Sequence, residues 1–368
     1  MVPLQRRAAS AGRGALALGL SLLLLLAAAS GRKPRRKPHS HAQLATESFA
    51  RARTASGDAV RGLLDESMQH VVAGLAESED FVLLNLAVTN LFWRGWGDEP
   101  GRSAQDRASY CQRARTAFTP ADKGRVSLEA VRYFFTICCD DARRQGGDEA
   151  RIACFVEAGR AGVWKRQWQY PQIFHDGLAA RPWWTEEQLE PKTLSALRSL
   201  QQDWQLIRRE ALASRAGSHF RTEPDALYEA GSWTELVLQL EGVASQAGCS
   251  AMPETCALFE KLSRQGLGDA MAGVSKGGVK VSRLSPGTTI KPHCAAVNDR
   301  VRVHLALSVP DGADIGIRVA GEERRWEEGQ MLVFDDSFEH DVWHRGAAGD
   351  RLVLIIDLRH PDLPRANE

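Results

Sequence analysis

Acidic residues are missing from the start of this chain. No Asp or Glu occurs before Glu47, whereas Arg6, Arg7, Arg13, Arg32, Lys33, Arg35, Arg36 and Lys37 all do. Between the basic groups lies an apolar run, Gly14–Ser30, that contains five successive leucines. It is shorter than the roughly 20 residues a spanning helix needs. Ala27 and Ala29 form an A-x-A-like cleavage pattern. The segment therefore reads as a cleaved secretory signal or an uncleaved signal anchor. An organelle transit peptide is a third reading, against which the leucines argue. Each reading sets residues 1–41 apart from the fold. Basic residues flank both sides of the run, so charge fixes no membrane orientation. The chain also lacks any N-x-S/T sequon, so glycosylation says nothing about compartment.

An excess of either charge sign is missing too. A formal net charge of +1 over 368 residues offers no field to attract nucleic acid. Hydrophobic residues at 43% and charged residues at 25% are ordinary for a globular protein, and the length suits two domains. The seven cysteines leave one over if the others pair. Cys249 and Cys256 fall in a short polar loop containing Pro253, readable as a local disulfide in an oxidising lumen or as two surface thiols. Cys138 and Cys139 are adjacent in an apolar helical segment and read as core residues.

Residues 42–160 read as helical. Val60, Leu63, Leu64, Met68, Val71 and Val72 recur at helical spacing, as do Leu128, Val131, Phe134 and Phe135. A tryptophan-rich junction follows, with Thr185 placed to cap a helix start ahead of Glu186 and Glu187. The segment 194–213 reads as one amphipathic helix. Beyond Gly231 the period changes from helical to alternating. Short strands are expected around 232–242, 279–284, 301–309, 314–319, 329–334 and 351–358, punctuated by Gly and Pro. That spacing predicts a β-sandwich or double-sheet jelly roll.

Within 301–309, Val301, Val303, Leu305, Leu307 and Val309 share one face, and Arg302, His304, Ala306 and Ser308 the other. The polar face suits a ligand inside a barrel or, equally by periodicity, a solvated outer surface. His293 follows Pro292 just before this strand, and His340 follows the turn-like FDDSFE. Non-haem iron sites usually add a carboxylate to two histidines. That acid commonly stands two residues after the first histidine, where this chain has Ala295. Spacing alone leaves a dead site, another metal site and a two-histidine iron site open.

From about Gly162 to Leu363 the chain resembles the aspartyl/asparaginyl β-hydroxylase family, iron- and 2-oxoglutarate-dependent oxygenases. The resemblance is carried by ordered blocks that include PQIFHDGLAARPWWT, GSWTELVLQLEG, SRLSPGTTIKPH, RVRVHLALSVP, WEEGQMLVFDDSFEHDVWH and RLVLIIDLRHPDL. It implies an α+β protein: residues 1–41 as signal or anchor, 42–160 helical, and 161–368 a double-stranded β-helix (jelly-roll, cupin-like) domain. It implies Fe(II) held by His293 and His340 with no carboxylate, Ala295 standing where the family commonly has Gly. It gives Arg351 and Ser282 to the far carboxylate of 2-oxoglutarate, with Trp233, Arg302 and His304 around that cosubstrate. Lys280 and Arg300 match basic positions toward an acidic substrate side chain, and Cys249–Cys256 matches a family disulfide. One more residue separates His340 from Arg351 than in the familiar pattern.

The implied reaction uses O2 to hydroxylate the β-carbon of Asp or Asn in a protein substrate, releasing succinate and CO2. No nucleic-acid partner is implied. The implied address is the secretory pathway: the endoplasmic reticulum membrane with a lumenal catalytic domain, anchored through the N-terminal run, or a lumenal or secreted form after cleavage. Competing readings are a non-catalytic binding module of the same fold and an oxygenase with another substrate.

Overall fold

The computed structural model describes residues 40–363 apart from 79, 95–99, 119–126, 217–218, 224–226, 229, 275–276 and 347. The N-terminal signal or anchor segment thus lies outside the described residues, apart from Ser40 and His41. No described helix is long and apolar enough to cross a membrane. Backbone contacts divide the chain into two compact units, Met1–Gln172 and Ile173–Glu368.

The first unit is helical: His41–Thr54, Asp58–Glu77, Phe81–Arg94, Pro100–Ala117 and Leu128–Arg160. Ser40 caps the first of these in a reciprocal capping box with Gln43. Phe49, Leu64, Val71, Leu83 and Leu86 pack into one core, whereas Val72, which has the spacing of the apolar face, is 53% exposed. Cys138 and Cys139 are buried as expected but are also bonded, to Cys111 and Cys154. A core reading alone misses this, because burial favours a free thiol and a half-cystine alike. Cys139 and Cys154 stand 15 residues apart with Cα atoms 5.3 Å apart. A straight helix would separate them by about 22 Å. The chain instead folds back at Gly146–Gly147, where Gly147 has φ 71°.

The second unit is an antiparallel jelly roll. Its strands are β1 (Trp183–Trp184), β2 (Arg221–Thr222), β3 (Trp233–Leu240), β4 (Val243–Ala244), β5 (Gly278–Leu284), β6 (Thr288–His293), β7 (Arg300–Ser308), β8 (Ile315–Val319), β9 (Glu322–Arg324), β10 (Met331–Phe334), β11 (His340–His344) and β12 (Arg351–Arg359). One sheet runs β1-β10-β7-β12-β5-β3-β2 with β4 on β3, and the other runs β6-β11-β8-β9. From β5 on, successive strands alternate between the sheets except for the β8–β9 hairpin, which makes the double-stranded β-helix. The protein is α+β, a helical region followed by this jelly roll.

The alternation along β7 resolves into two environments. Val301, Val303, Leu305 and Leu307 pack beneath the helices Pro191–Gln202 and Trp204–Ala213 with Leu197, Leu200 and Ile207. Arg302 and His304 point into the roll. The expected single helix over 194–213 is two, broken at Asp203, whose φ −91° and ψ 12° leave the helical region. Cys249 and Cys256 are bonded as the resemblance implied. They sit on consecutive helices, Gln246–Ala251 and Pro253–Leu262, rather than in a loop. All seven cysteines are described; Cys294 is the one outside a disulfide.

Closing the 27- and 15-residue loops of the first unit limits its unfolded chain by about 3 kcal/mol each. Cys111→Ser and Cys139→Ser should each lower the melting temperature in non-reducing buffer. Melting curves identical with and without reductant would contradict this.

Candidate active site

The histidines lie within strands that the sequence pattern does not reveal. β6 and β11 pair antiparallel with His293 directly opposite His340. Their ring centroids are 4.1 Å apart. Each Nδ1 meets a backbone carbonyl two residues earlier, His293 with Lys291 at 2.8 Å and His340 with Phe338 at 2.9 Å. A carbonyl only accepts, so each Nδ1 carries the proton and each Nε2 keeps its lone pair. Burial, with the neighbouring His340, pulls His293 down to about 3. Burial likewise pulls His340 down to about 4, against the opposing pull of Asp336. Two neutral rings with free Nε2 atoms are competent ligands for a divalent transition metal. Ala295 offers no donor side chain, and its N–H is taken by the Asp336 carbonyl at 2.7 Å. Among the described residues no group of three or more His, Cys, Asp or Glu is placed to hold a metal. The donor set therefore fits a two-histidine site with open coordination positions.

Beside the rings lies a cage of charge. Arg300 meets both oxygens of Asp336, by Nε at 3.1 Å and by Nη2 at 2.7 Å. Arg302 adds Nη1 at 3.2 Å and binds Asp357 with Nε at 2.7 Å. Burial alone would raise the Asp336 carboxyl, but the two guanidiniums outweigh it and hold the group far below its usual range. Asp335 accepts from the backbone and hydroxyl of Ser337, so neither acid of the FDD run is free to serve as a ligand. Lys280 pairs with Glu235. Both basic residues expected to face an acidic substrate are thus already ion-paired.

Deeper in the roll the balance changes. Arg351 is 2% exposed and has no carboxylate within ion-pair distance among the described residues. Its Nη1 reaches the Ser282 hydroxyl at 3.3 Å, and that hydroxyl also receives the Trp233 indole N–H at 3.1 Å. Uncompensated burial pulls the guanidinium down to about 9, which leaves it cationic at neutral pH. His304 lies between Trp326 and Phe334, and neither of its ring nitrogens has a partner. Phe334 in turn packs against His340 with centroids 5.6 Å apart. A line of touching side chains therefore joins the Arg351 end to the metal-competent pair. Sequence reasoning finds most of this line. It misses Asp336 and Asp357, whose role depends on cross-strand register, and Trp326, which lies between strands. His344 and His360 bind the carbonyls of Gly349 and Ala179 and are structural.

The class that this fold and site define is a two-histidine jelly-roll domain. A family model described as aspartyl/asparaginyl beta-hydroxylase matches residues 201–361. The aspartyl/asparaginyl beta-hydroxylases of Mus musculus and Homo sapiens are 37% and 36% identical to it over 245 residues, 66% of this chain. The match spans only 31% of the length of either relative. Aspartate beta-hydroxylase domain-containing protein 2 of Homo sapiens is 38% identical over 138 residues, 37% of this chain and 36% of that protein. A prolyl-4-hydroxylase structure from Pseudomonas putida aligns over 43% of this chain and 87% of its own, at 18% identity and a TM-score of 0.29, too low to bear on the assignment.

Two outcomes follow from the charges. Asp336→Asn leaves Arg300 and Arg302 sharing Asp357 and should cost on the order of 3 kcal/mol in urea unfolding; an unchanged midpoint would contradict the cage. His293, His340 and His304 all have folded-state pKa values below the unfolded value of 6.5. The unfolded chain then binds more protons below that pH, so their stability contribution is present above 6.5 and lost on acidification toward about 3. Metal-free protein should melt progressively lower from pH 7 to pH 5, and a flat profile would refute it.

Proposed function

We propose that the chain is an Fe(II)- and 2-oxoglutarate-dependent dioxygenase that hydroxylates the β-carbon of Asp or Asn in protein substrates. His293 and His340 hold the metal through Nε2. Arg351 and Ser282 receive the far carboxylate of 2-oxoglutarate, and Trp233, Arg302 and His304 line the rest of its pocket. Lys280 and Arg300 serve the acidic substrate side chain, their partners Glu235 and Asp336 holding them in place. When bound, the iron centre supplies the oxidising chemistry, in which one atom of O2 goes to the substrate carbon and the other to succinate as CO2 departs.

The observation that carries this reading is Arg351, a buried guanidinium without an acid, in the same roll as two facing neutral imidazoles. Burying such a charge unpaired is costly. An anionic cosubstrate offsets the cost, and Arg supplies the fork that a carboxylate fits. The phenyl, indole and aliphatic walls keep water from the reacting atoms while the carboxylate anchor orients them.

Three disulfides support an oxidising compartment. We place the protein in the secretory pathway, with a lumenal catalytic domain in the endoplasmic reticulum, tethered by the N-terminal apolar run or released after its cleavage.

The test is incubation of the full chain with Fe(II), 2-oxoglutarate, O2 and Asp- or Asn-containing peptides. Succinate should appear together with a peptide carrying one added oxygen atom. His293→Ala and His340→Ala should abolish both products with the helical unit still folded. Arg351→Ala should raise the KM for 2-oxoglutarate roughly 10- to 100-fold, the equivalent of about 1.5–3 kcal/mol for a charge-assisted contact. Full turnover by either histidine variant, or an unchanged KM, would reject the assignment.

A further inference from the structure

Trp326 is 4% exposed, and its indole Nε1 has no hydrogen-bond partner. A buried N–H of that kind ordinarily finds an acceptor. Its surroundings repeat the pattern. The Arg351 guanidinium carbon lies 4.9 Å from the Trp326 ring centroid, and Arg351 Nε is also unpartnered. The His304 ring stacks on Trp326 with an interplanar angle of 22°, and both of its nitrogens are unpartnered. Four orphan nitrogens thus belong to Trp326 and the two side chains packed against it. One is the N–H of a cation, one the N–H of an indole, and one of the two on His304 bears a proton in any neutral tautomer. Such a cluster of donors is satisfied by a ligand with several acceptor oxygens.

Trp326 is also held in place. Gly329, three residues on, turns the chain with φ 77°, and a Cβ there would come within 2.9 Å of the Trp204 ring. The Gly329 N–H binds the Ala306 carbonyl at 2.9 Å, and the Glu328 carboxylate takes the Val309 N–H at 2.9 Å. The indole is therefore fixed before any ligand arrives, the condition under which a donor adds affinity instead of ordering cost. The same residue borders a surface cavity of about 720 Å³ with Arg208, Pro310, Glu327 and Glu328.

We propose that Trp326 is a further binding residue of the cosubstrate chamber, its indole N–H donating to the terminal carboxylate that Arg351 receives while its ring separates that carboxylate from the outer cavity. This rests on the functional reading above and adds to it a third donor, beyond Arg351 and Ser282. No covalent step is involved.

The probe is glutarate, which has the two carboxylates of 2-oxoglutarate but no keto oxygen, titrated calorimetrically into metal-free full-length protein. Trp326→Phe keeps a ring under Arg351 and beside His304 and deletes only the N–H. It should weaken glutarate binding about 5- to 20-fold. The melting temperature without ligand should not fall, because an unsatisfied donor has been removed. In turnover, the KM for 2-oxoglutarate should rise with kcat little changed. A second measurement needs no variant to bind. In protein labelled with nitrogen-15 tryptophan, one indole N–H resonance should move downfield on adding glutarate, and that resonance should be missing from Trp326→Phe.

Unaltered glutarate affinity in Trp326→Phe, or no indole shift at saturation, overturns this inference. If Arg351→Ala still weakens binding 10-fold or more, the functional reading stands without it. Wild-type protein that binds neither glutarate nor 2-oxoglutarate overturns both.

Discussion

Everything in the candidate site depends on the register of two short strands. β6 and β11 bring His293 and His340 face to face, and side chains along a strand alternate between faces. A slip of one residue would send one imidazole out of the roll and end any shared ligation. The register is unusual at this point. Going from His340 to Val342 advances two residues on β11, while the partner positions His293 and Ile290 are three apart on β6. β6 therefore carries a bulge at Lys291–Pro292. Pro292 has no N–H to give to a ladder, so a bulge is where a strand tolerates it. The Lys291 N–H goes outward to the Leu227 carbonyl, and the Lys291 carbonyl takes the proton of His293 Nδ1. The bulge thus aims one imidazole and fixes its tautomer together.

The absence of an acid at position 295 is consistent with the charges around it. Arg300 and Arg302 are matched by Asp336 and Asp357, two against two, in a volume closed to water. Asp336 also anchors the Ala295 segment through its backbone carbonyl. A carboxylate at 295 would bring a third buried negative charge beside a set already balanced, compensated only while a metal was bound. With alanine there, the metal-free site keeps neutral charge and neutral rings, and the strand ends hold their shape without the ion.

How much of this the sequence carries depends on which physical signal marks each part. β3, β5, β7, β8, β10 and β12 are long or flank apolar alternation, and each falls where period two predicts it. β6 and β11 do not: HDVWH is buried at every position, and TTIKPH is interrupted by a proline at its bulge, so neither alternates. The two strands that hold the histidines were thus the hardest to see. Resemblance to a family supplied their importance, not their structure. Asp203 interrupts a helix whose apolar spacing runs through it, because a break that preserves the face leaves no trace in periodicity. The bridges of the first unit were unreadable for a different reason. Cysteine pairing follows from which helices meet, and local pattern is silent about a fold-back of 15 residues.

The distribution of paired and unpaired cations also gives the chamber a direction. Near the histidines every arginine has an acid, so that end presents little net field. At the Arg351 end the charge is uncompensated, and its neighbours are a hydroxyl, two indoles and an imidazole, none of them negative. In a low-dielectric interior an isolated charge of this kind acts strongly on whatever enters. A molecule with a carboxylate at one end and metal-chelating oxygens at the other meets a gradient that draws the carboxylate inward and leaves the chelating end beside the rings. Moving the acid of the Asp336 cage to the Arg351 end would preserve the total charge and remove that preference. The orientation of such a molecule is therefore a property of where the chain withholds a partner from an arginine, and the jelly roll makes this possible by keeping the two ends of β12 in separate surroundings.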